Sequence, residues 1–371
     1  MNRLNQKRER GYEVSKKGRI RYIFTSSNTS QGFYTFIPQL LEGLKKVYIL
    51  KGAAGSGKST FIRLLGEAVS EQGYEIEYWI SAMEPVNPDG LYIPQLEAAV
   101  VNGSLPQAID PKYPGGVSII INLGDYWDEK AVYAQSTKIM ELVERIHSQN
   151  NKAYDLLRNA GRVKDEMNKI GLKHLNIEKL QQLVEKLASE IMEEAAVERH
   201  YFASALTADG MVNYVDEISA ECKKRFVFKG PPGSGKSTVI NEIARKAKKK
   251  GLSLEYYHCG LKQEDLSMLI IRNLEIALID AGNSEMTIKP WDIIIDMRDF
   301  LDNYDSDLLE IANSEIYRKF EAFLMEAQIE MEGAQRSLKE LKKIYAMFMD
   351  FESLEKKRRE VGEKLLLVTD D

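Results

Sequence analysis

The chain has 371 residues, which at about 100 to 200 residues per domain is room for two or three cores and excludes one small domain. Hydrophobic residues make up 44% and charged residues 29%, globular usage that excludes a disordered or collagen-like chain. A net charge of -5 argues against a surface given over to nucleic acid. No apolar run reaches the roughly 18 residues of a membrane span, and the polar start lacks the core of a signal peptide, so a soluble, cytoplasmic protein is expected.

The start is basic: Arg3, Lys7, Arg8, Arg10, Lys16, Lys17, Arg19 and Arg21 face only Glu9 and Glu13. It reads as a solvated leader over residues 1–20, with an anion-binding arm as the sharper alternative. Cys222 and Cys259 read as reduced thiols rather than a disulfide or zinc site.

Beyond the leader the chain is written twice, at an offset of 178 residues. Arg21 falls on Arg199, Phe24 on Phe202, Gly32 on Gly210, and Gly55-Ser-Gly-Lys-Ser-Thr60 on Gly233-Ser-Gly-Lys-Ser-Thr238. Glu77-Tyr78 meets Glu255-Tyr256, and the run ending at Asn102 meets the run ending at Asp280. Then the register shifts by four, to an offset of 174, with Ile119 to Ile121 on Ile293 to Ile295, Asp125 on Asp299 and Asp128 on Asp302. The expected division is a first domain over 21–195 and a second over 196–371.

Each copy shows a β-rich run (VYILKG, RFVFKG), a glycine-rich turn, an amphipathic helix carrying Phe61, Ile62, Leu65, Ala68 and Val69 in the first copy, and three further short apolar runs. Strands alternating with helix-length stretches predict an α/β fold, a parallel sheet covered by helices on both faces. Each copy ends in a helical extension, in the second copy a long amphipathic helix or C-terminal helical hairpin. Apolar residues recur at helical spacing from Ile316 to Leu354; in copy one Ile139, Val143 and Ile146 precede a polar break near Asn150, and Leu180, Leu183, Leu187 and Ile191 follow. These helices are expected to cover their own domain or to form the seam between copies, with a partner-binding stalk or lid as alternatives.

Gly52-Ala-Ala-Gly-Ser-Gly-Lys58-Ser59 and Gly230-Pro-Pro-Gly-Ser-Gly-Lys236-Ser237 both satisfy G-x-x-x-x-G-K-[ST]. Gly52, Gly55, Ser56, Gly57, Thr60 and their counterparts Gly230, Gly233, Ser234, Gly235, Thr238 would bring backbone N–H groups to phosphate oxygens at a helix N-terminus. Lys58 and Lys236 would reach the terminal phosphates, and Ser59 and Ser237 would offer hydroxyls to Mg²⁺. On these motifs the chain resembles the P-loop NTPases, and its tandem layout resembles a little-characterised bacterial group of ATPases and nucleotide-kinase-related proteins. The resemblance implies two tandem P-loop domains and ATP, or less favourably GTP, with Mg²⁺; no guanine-reading N-K-x-D run follows the apolar strands.

Asp280, at the end of an apolar strand, fits the second metal-binding acid, whereas Asn102 stands in its place in copy one; the second site is therefore expected to hydrolyse and the first mainly to bind. Asp89, Asp110 and Asp125 are the carboxylates that would restore site one. For a water-activating base the shared candidates are Glu77/Glu255 and Asp125/Asp299; for an arginine finger, Arg63, Arg145, Arg272, Arg298 and Arg318. His147, His174, His200 and His258 show no metal-ligand spacing, and Trp79, Tyr256, Tyr257 and Trp291 read as core.

Three functions fit: an ATPase whose two sites move the helical segments, a nucleotide or small-molecule kinase, and a nucleotide-sensing scaffold with little turnover. The absent Asp-Glu pair favours the kinase, the absent Arg-rich lid opposes it, and Asn102 favours the scaffold. A protein partner on the helical extensions, a pseudo-dimer within the chain and a homo-oligomer are all compatible with the pattern.

Overall fold

A computed structural model describes residues 17–189, 197–282, 286–302 and 315–366. Most of the basic leader, with Arg3, Lys7, Arg8, Arg10 and Lys16, lies outside them, as does Ile191.

Copy one runs through β1 (Ile20–Phe24), the hairpin β2 (Ser26–Thr29) and β3 (Gly32–Thr35), the single turn α1 (Ile37–Leu40), β4 (Lys46–Lys51), α2 (Lys58–Glu71), β5 (Ile76–Ile80), β6 (Pro88–Ile93), β7 (Ala98–Asn102) and β8 (Ser118–Asn122). Its extension is α3 (Glu129–Tyr133), α4 (Ser136–Leu172) and α5 (Ile177–Ala188). Copy two repeats the order: β9 (Glu198–Phe202), β10 (Ser204–Thr207), β11 (Gly210–Asn213), α6 (Val215–Ile218), β12 (Lys224–Lys229), α7 (Lys236–Lys249), β13 (Leu254–His258), β14 (Leu266–Ile271), β15 (Ile276–Asp280) and β16 (Ile293–Asp296), then α8 (Glu315–Met347) and α9 (Phe351–Leu366).

One 12-stranded sheet joins the copies in the order β16-β12-β15-β14-β13-β9-β1-β5-β6-β7-β4-β8. The order is palindromic under the repeat. At its centre β1 and β9 run antiparallel and Phe24 pairs with Phe202, its own counterpart, the signature of an internal two-fold axis. The sheet is mostly parallel, with one departure per copy: β6 and β14 run antiparallel to both neighbours, because a short turn rather than a helix follows β5 and β13.

On one face α2 lays Phe61, Ile62, Leu65 and Val69 against Tyr48, Leu50, Tyr78 and Val100. The other face is covered more thinly, by Ile37 of α1 and by Leu105 and Ile109 over Val47, Ile49 and Trp79. Helices do flank both faces, but on this one only as a single turn.

The extensions do not stay with their own copies. The polar stretch at Asn150 does not break the helix: α4 is continuous for 37 residues, about 55 Å. It packs antiparallel on α8, with Gln149 against Gly333 and Trp127, before α4, bridging Met349, after α8. The last helix of each copy then crosses over. The α5 residues Leu180, Val184 and Leu187 pack on Val239, Ile240 and Ile243 of α7, and the α9 residues Leu354, Val361 and Leu365 join the core over α2. The crossings are fastened alike: Asn176 N–H donates to the Phe300 carbonyl (2.8 Å) and Asp350 N–H to the Tyr126 carbonyl (2.7 Å), pairs that the 174-residue offset interconverts. The expectation that an extension covers its own domain is thus corrected, while that of a seam holds for α4 and α8.

Candidate functional site

Both glycine-rich loops leave a buried strand of their sheet half, β4 or β12, and enter the helix that follows. Gly57 and Gly235 stand at the N-caps of α2 and α7 with φ of 92° and 86°, a left-handed turn that glycine takes without strain. The loops therefore meet the positive ends of two helices, with Ser59 and Ser237 in the first turn and Thr60 and Thr238 beside them. Ser56 and Ser234 are fully buried, their hydroxyls without a hydrogen-bond partner among the described residues.

The lysines fold back on their own loops. Lys58 Nζ donates to the carbonyls of Gly52 (2.7 Å) and Ala53 (2.8 Å), and Lys236 Nζ to those of Gly230 and Pro231 (2.9 Å each). Burial pushes both ammonium groups down, Lys58 to about 8, although Asp89 and Asp280 respectively hold them up. Asp280 Oδ1 lies 3.9 Å from Lys236 Nζ and accepts the Gly282 N–H at 2.8 Å.

Copy one has its own carboxylate. Asp89, on β6, stands opposite Asn102 on β7, whose Nδ2 donates to Asp89 Oδ1 at 2.9 Å. Asp89 is 5% exposed, burial pushes its carboxyl up, and Oδ2 has no hydrogen-bond partner among the described residues. Its counterpart in copy two is Ser267, opposite Asp280. The acid has exchanged strands between the copies, so the pair of positions holds one carboxylate in each.

The other candidates separate. Asp125 and Asp299 follow residues that touch the loops: Leu123 and Met297 pack on Gly52 and Gly230. Both aspartates are at least partly exposed; Asp125 accepts from Asn122 Nδ2 at 2.6 Å. Asp110 pairs with Lys51 at 2.7 Å. Glu255 and Glu77 are not at the loops. Glu255 lies in the strand row of Arg225, three residues along and two strands across from Asp280, about 14 Å, and three strands across from Phe228, which leads into the loop, about 17 Å on ordinary sheet spacings. It meets Arg21 (3.2 Å), Arg272 (2.6 Å) and Tyr257 (2.8 Å); Arg21 also reaches Glu77 (3.1 Å). Burial would raise the Glu255 carboxyl, but Arg21 and then Arg272 hold it at about 2, an ionised strut rather than a proton acceptor. Its place on the second strand from the central axis is what sequence spacing did not reveal.

Arg272 is thereby engaged, Arg63 pairs with Glu67, and Arg298 with Asp296. Among the described residues, helices of the opposite copy bring two lysines near the loops: Lys342 of α8, whose backbone lies over Gly55, and Lys164 of α4, one turn before the Asn168 that lies over Gly233; no motif marks either of them. His200 and His258, far apart in the chain, come within 2.9 Å (Nδ1 to Nε2), although the described residues contain no cluster that could hold a metal. Tyr257 and Trp79 are core; Trp291 is 57% exposed. Cys222 and Cys259 are free thiols. No helix among the described residues is long and apolar enough to cross a membrane. No family model, curated protein or solved structure matches the chain.

Proposed function

We propose that this chain is a magnesium-dependent ATPase of the P-loop type with two nucleotide sites, its hydrolysis coupled to movement of the exchanged helical arms. The observation that carries the reading is the coincidence, twice, of a glycine-rich turn on a helix N-terminus, a largely buried lysine bonded to carbonyls of that turn, and one carboxylate beside it. A lysine held that way exchanges weak partners for phosphate oxygens without moving its backbone. Asp89 Oδ2, buried and without a partner among the described residues, and Asp280 have the chemistry to face a hydrated cation, and Ser59 and Ser237 would supply its hydroxyl ligands. Bound Mg²⁺ would neutralise charge on the departing phosphoryl group. The loop amides and lysines orient the phosphates, and the arms over the loops exclude water. With Asp89 beside Lys58, Asn102 no longer argues for an idle first site.

The test is magnesium-dependent phosphate release from ATP by wild type, K58A and K236A. Each variant is expected to lose its own site's share, and D89N and D280N to follow the lysine variant of the same site. Wild type without release, or release unchanged in the double lysine variant, refutes the reading.

A further inference from the structure

Over each loop, which carries its own lysine, packs a helix of the opposite copy that brings a second lysine to the neighbourhood. Lys342 of α8 lies over the first loop: a Cβ on Gly55 would collide with the Lys342 backbone, and its Nζ is ion-paired with Glu84, 30% exposed. At the second loop Asn168 takes the backbone place of Lys342, 174 residues earlier, with its carbonyl over Gly233. One helical turn before it, on the same face of α4, Lys164 extends Nζ to Cys259 Sγ (3.1 Å) and Asp265 (3.4 Å), 24% exposed. The pairs feel each other: Lys342 lowers the Lys58 ammonium and Lys164 lowers the Lys236 ammonium. Repelling cations held together by the packing of two copies are relieved by a polyanion between them.

We propose that each anion site is completed in trans: Lys342 serves the triphosphate at the Lys58 loop, Lys164 the triphosphate at the Lys236 loop, and Glu84 and Asp265 hold these lysines until the anion arrives. The inference rests on the nucleotide-site reading above. Because the lysines ride on α8 and α4, which pack on each other along their length, occupation of one loop pulls on a helix belonging to the other copy. The carboxylates make the device reversible: the lysine exchanges a single carboxylate for a multiply charged phosphate chain.

The experiment isolates one site at a time and reads affinity rather than turnover, by calorimetric titration of full-length protein with Mg-ATP and, separately, with inorganic triphosphate. In a K236A background K342Q is expected to weaken binding roughly tenfold or more and K342R to restore most of it; in a K58A background K164Q and K164R are expected to do the same. Melting temperatures of the Gln variants check that the fold survives. A weaker dependence of affinity on salt in the Gln variants is the readout that a purely structural role would not move. Affinities unchanged by the Gln variants, or an effect on the loop of the same copy instead, overturn the proposal. Absence of binding by wild type overturns the nucleotide reading itself, a separate outcome.

Discussion

At the scale of single residues the buried lysines set a pH dependence. In the ligand-free protein Lys58 loses its proton near pH 8, because burial outweighs Asp89. Phosphate oxygens favour the ammonium, so anion binding must raise that value, and binding above about pH 8 must take up a proton. Affinity at the first loop is therefore expected to fall as pH rises from about 7 to about 9. Calorimetry of K236A in buffers of different ionisation enthalpy measures the uptake; a constant heat across buffers at about pH 8.5 would contradict it. The same scale shows how a repeated residue misleads. Glu77 and Glu255 repeat faithfully, yet they repeat because the two-fold axis needs both, each tied to arginine and tyrosine at the copy junction.

At the scale of elements, the exchange of α5 and α9 makes the helix behind each loop depend on the opposite copy. Leu354 packs beside Gly57, and Val361 and Leu365 share the core of Phe61, Ile62 and Leu65. L354A is expected to cost about 2 to 5 kcal/mol. Hydrogen exchange should then show lost protection in α2 at the first loop, with α7 protected as before. Equal loss in both helices would mean that the arm does not act locally. The periodicity of α5, and of α9 as far as Leu354, was legible in the sequence, as was the glycine turn that starts α2 and α7. Their destination was not, because an apolar stripe specifies that it must be buried and not against which of two nearly identical surfaces. The polar run at Asn150 misled because packing on α8 overrides a weak propensity: Asn151 is exposed, but half-buried Asn150 lines a cavity with Met331 and Leu338 of α8.

At the scale of the whole molecule the two copies share one sheet, and the junction holds a charge cluster rather than an extended ladder. Arg21 of copy one binds Glu77 of its own copy and Glu255 of the other, and Arg199, its counterpart, reaches the Tyr92 hydroxyl at 2.7 Å. Removing Arg21 leaves buried carboxylates short of a cation, and R21A is expected to lose about 3 to 5 kcal/mol near neutral pH. The sign with acid follows from Glu255. Its folded value, about 2, lies below the ordinary carboxylate value, so its stabilisation is present above about pH 4.5 and is lost as pH falls towards 2. Denaturant titrations at about pH 7 and about pH 3 should show wild type losing more stability than R21A over that interval. A constant difference between the two proteins would sink the assignment. Because core, junction and arms all cross between copies, both halves are expected to melt in one transition.

The sequence by itself determined that there are two copies, that each carries a glycine-rich turn between a buried strand and an amphipathic helix, and that the class is α/β. These are local patterns, written in residue type and spacing. The tertiary structure alone decided that β6 and β14 run against their neighbours, that Asp89 stands where Asn102 left a charge missing, and that Glu255 belongs to the junction. It also decided which copy's helix closes which loop. Each of these is a choice between pairings of similar local energy, settled only when the two-fold arrangement forms the shared cores together.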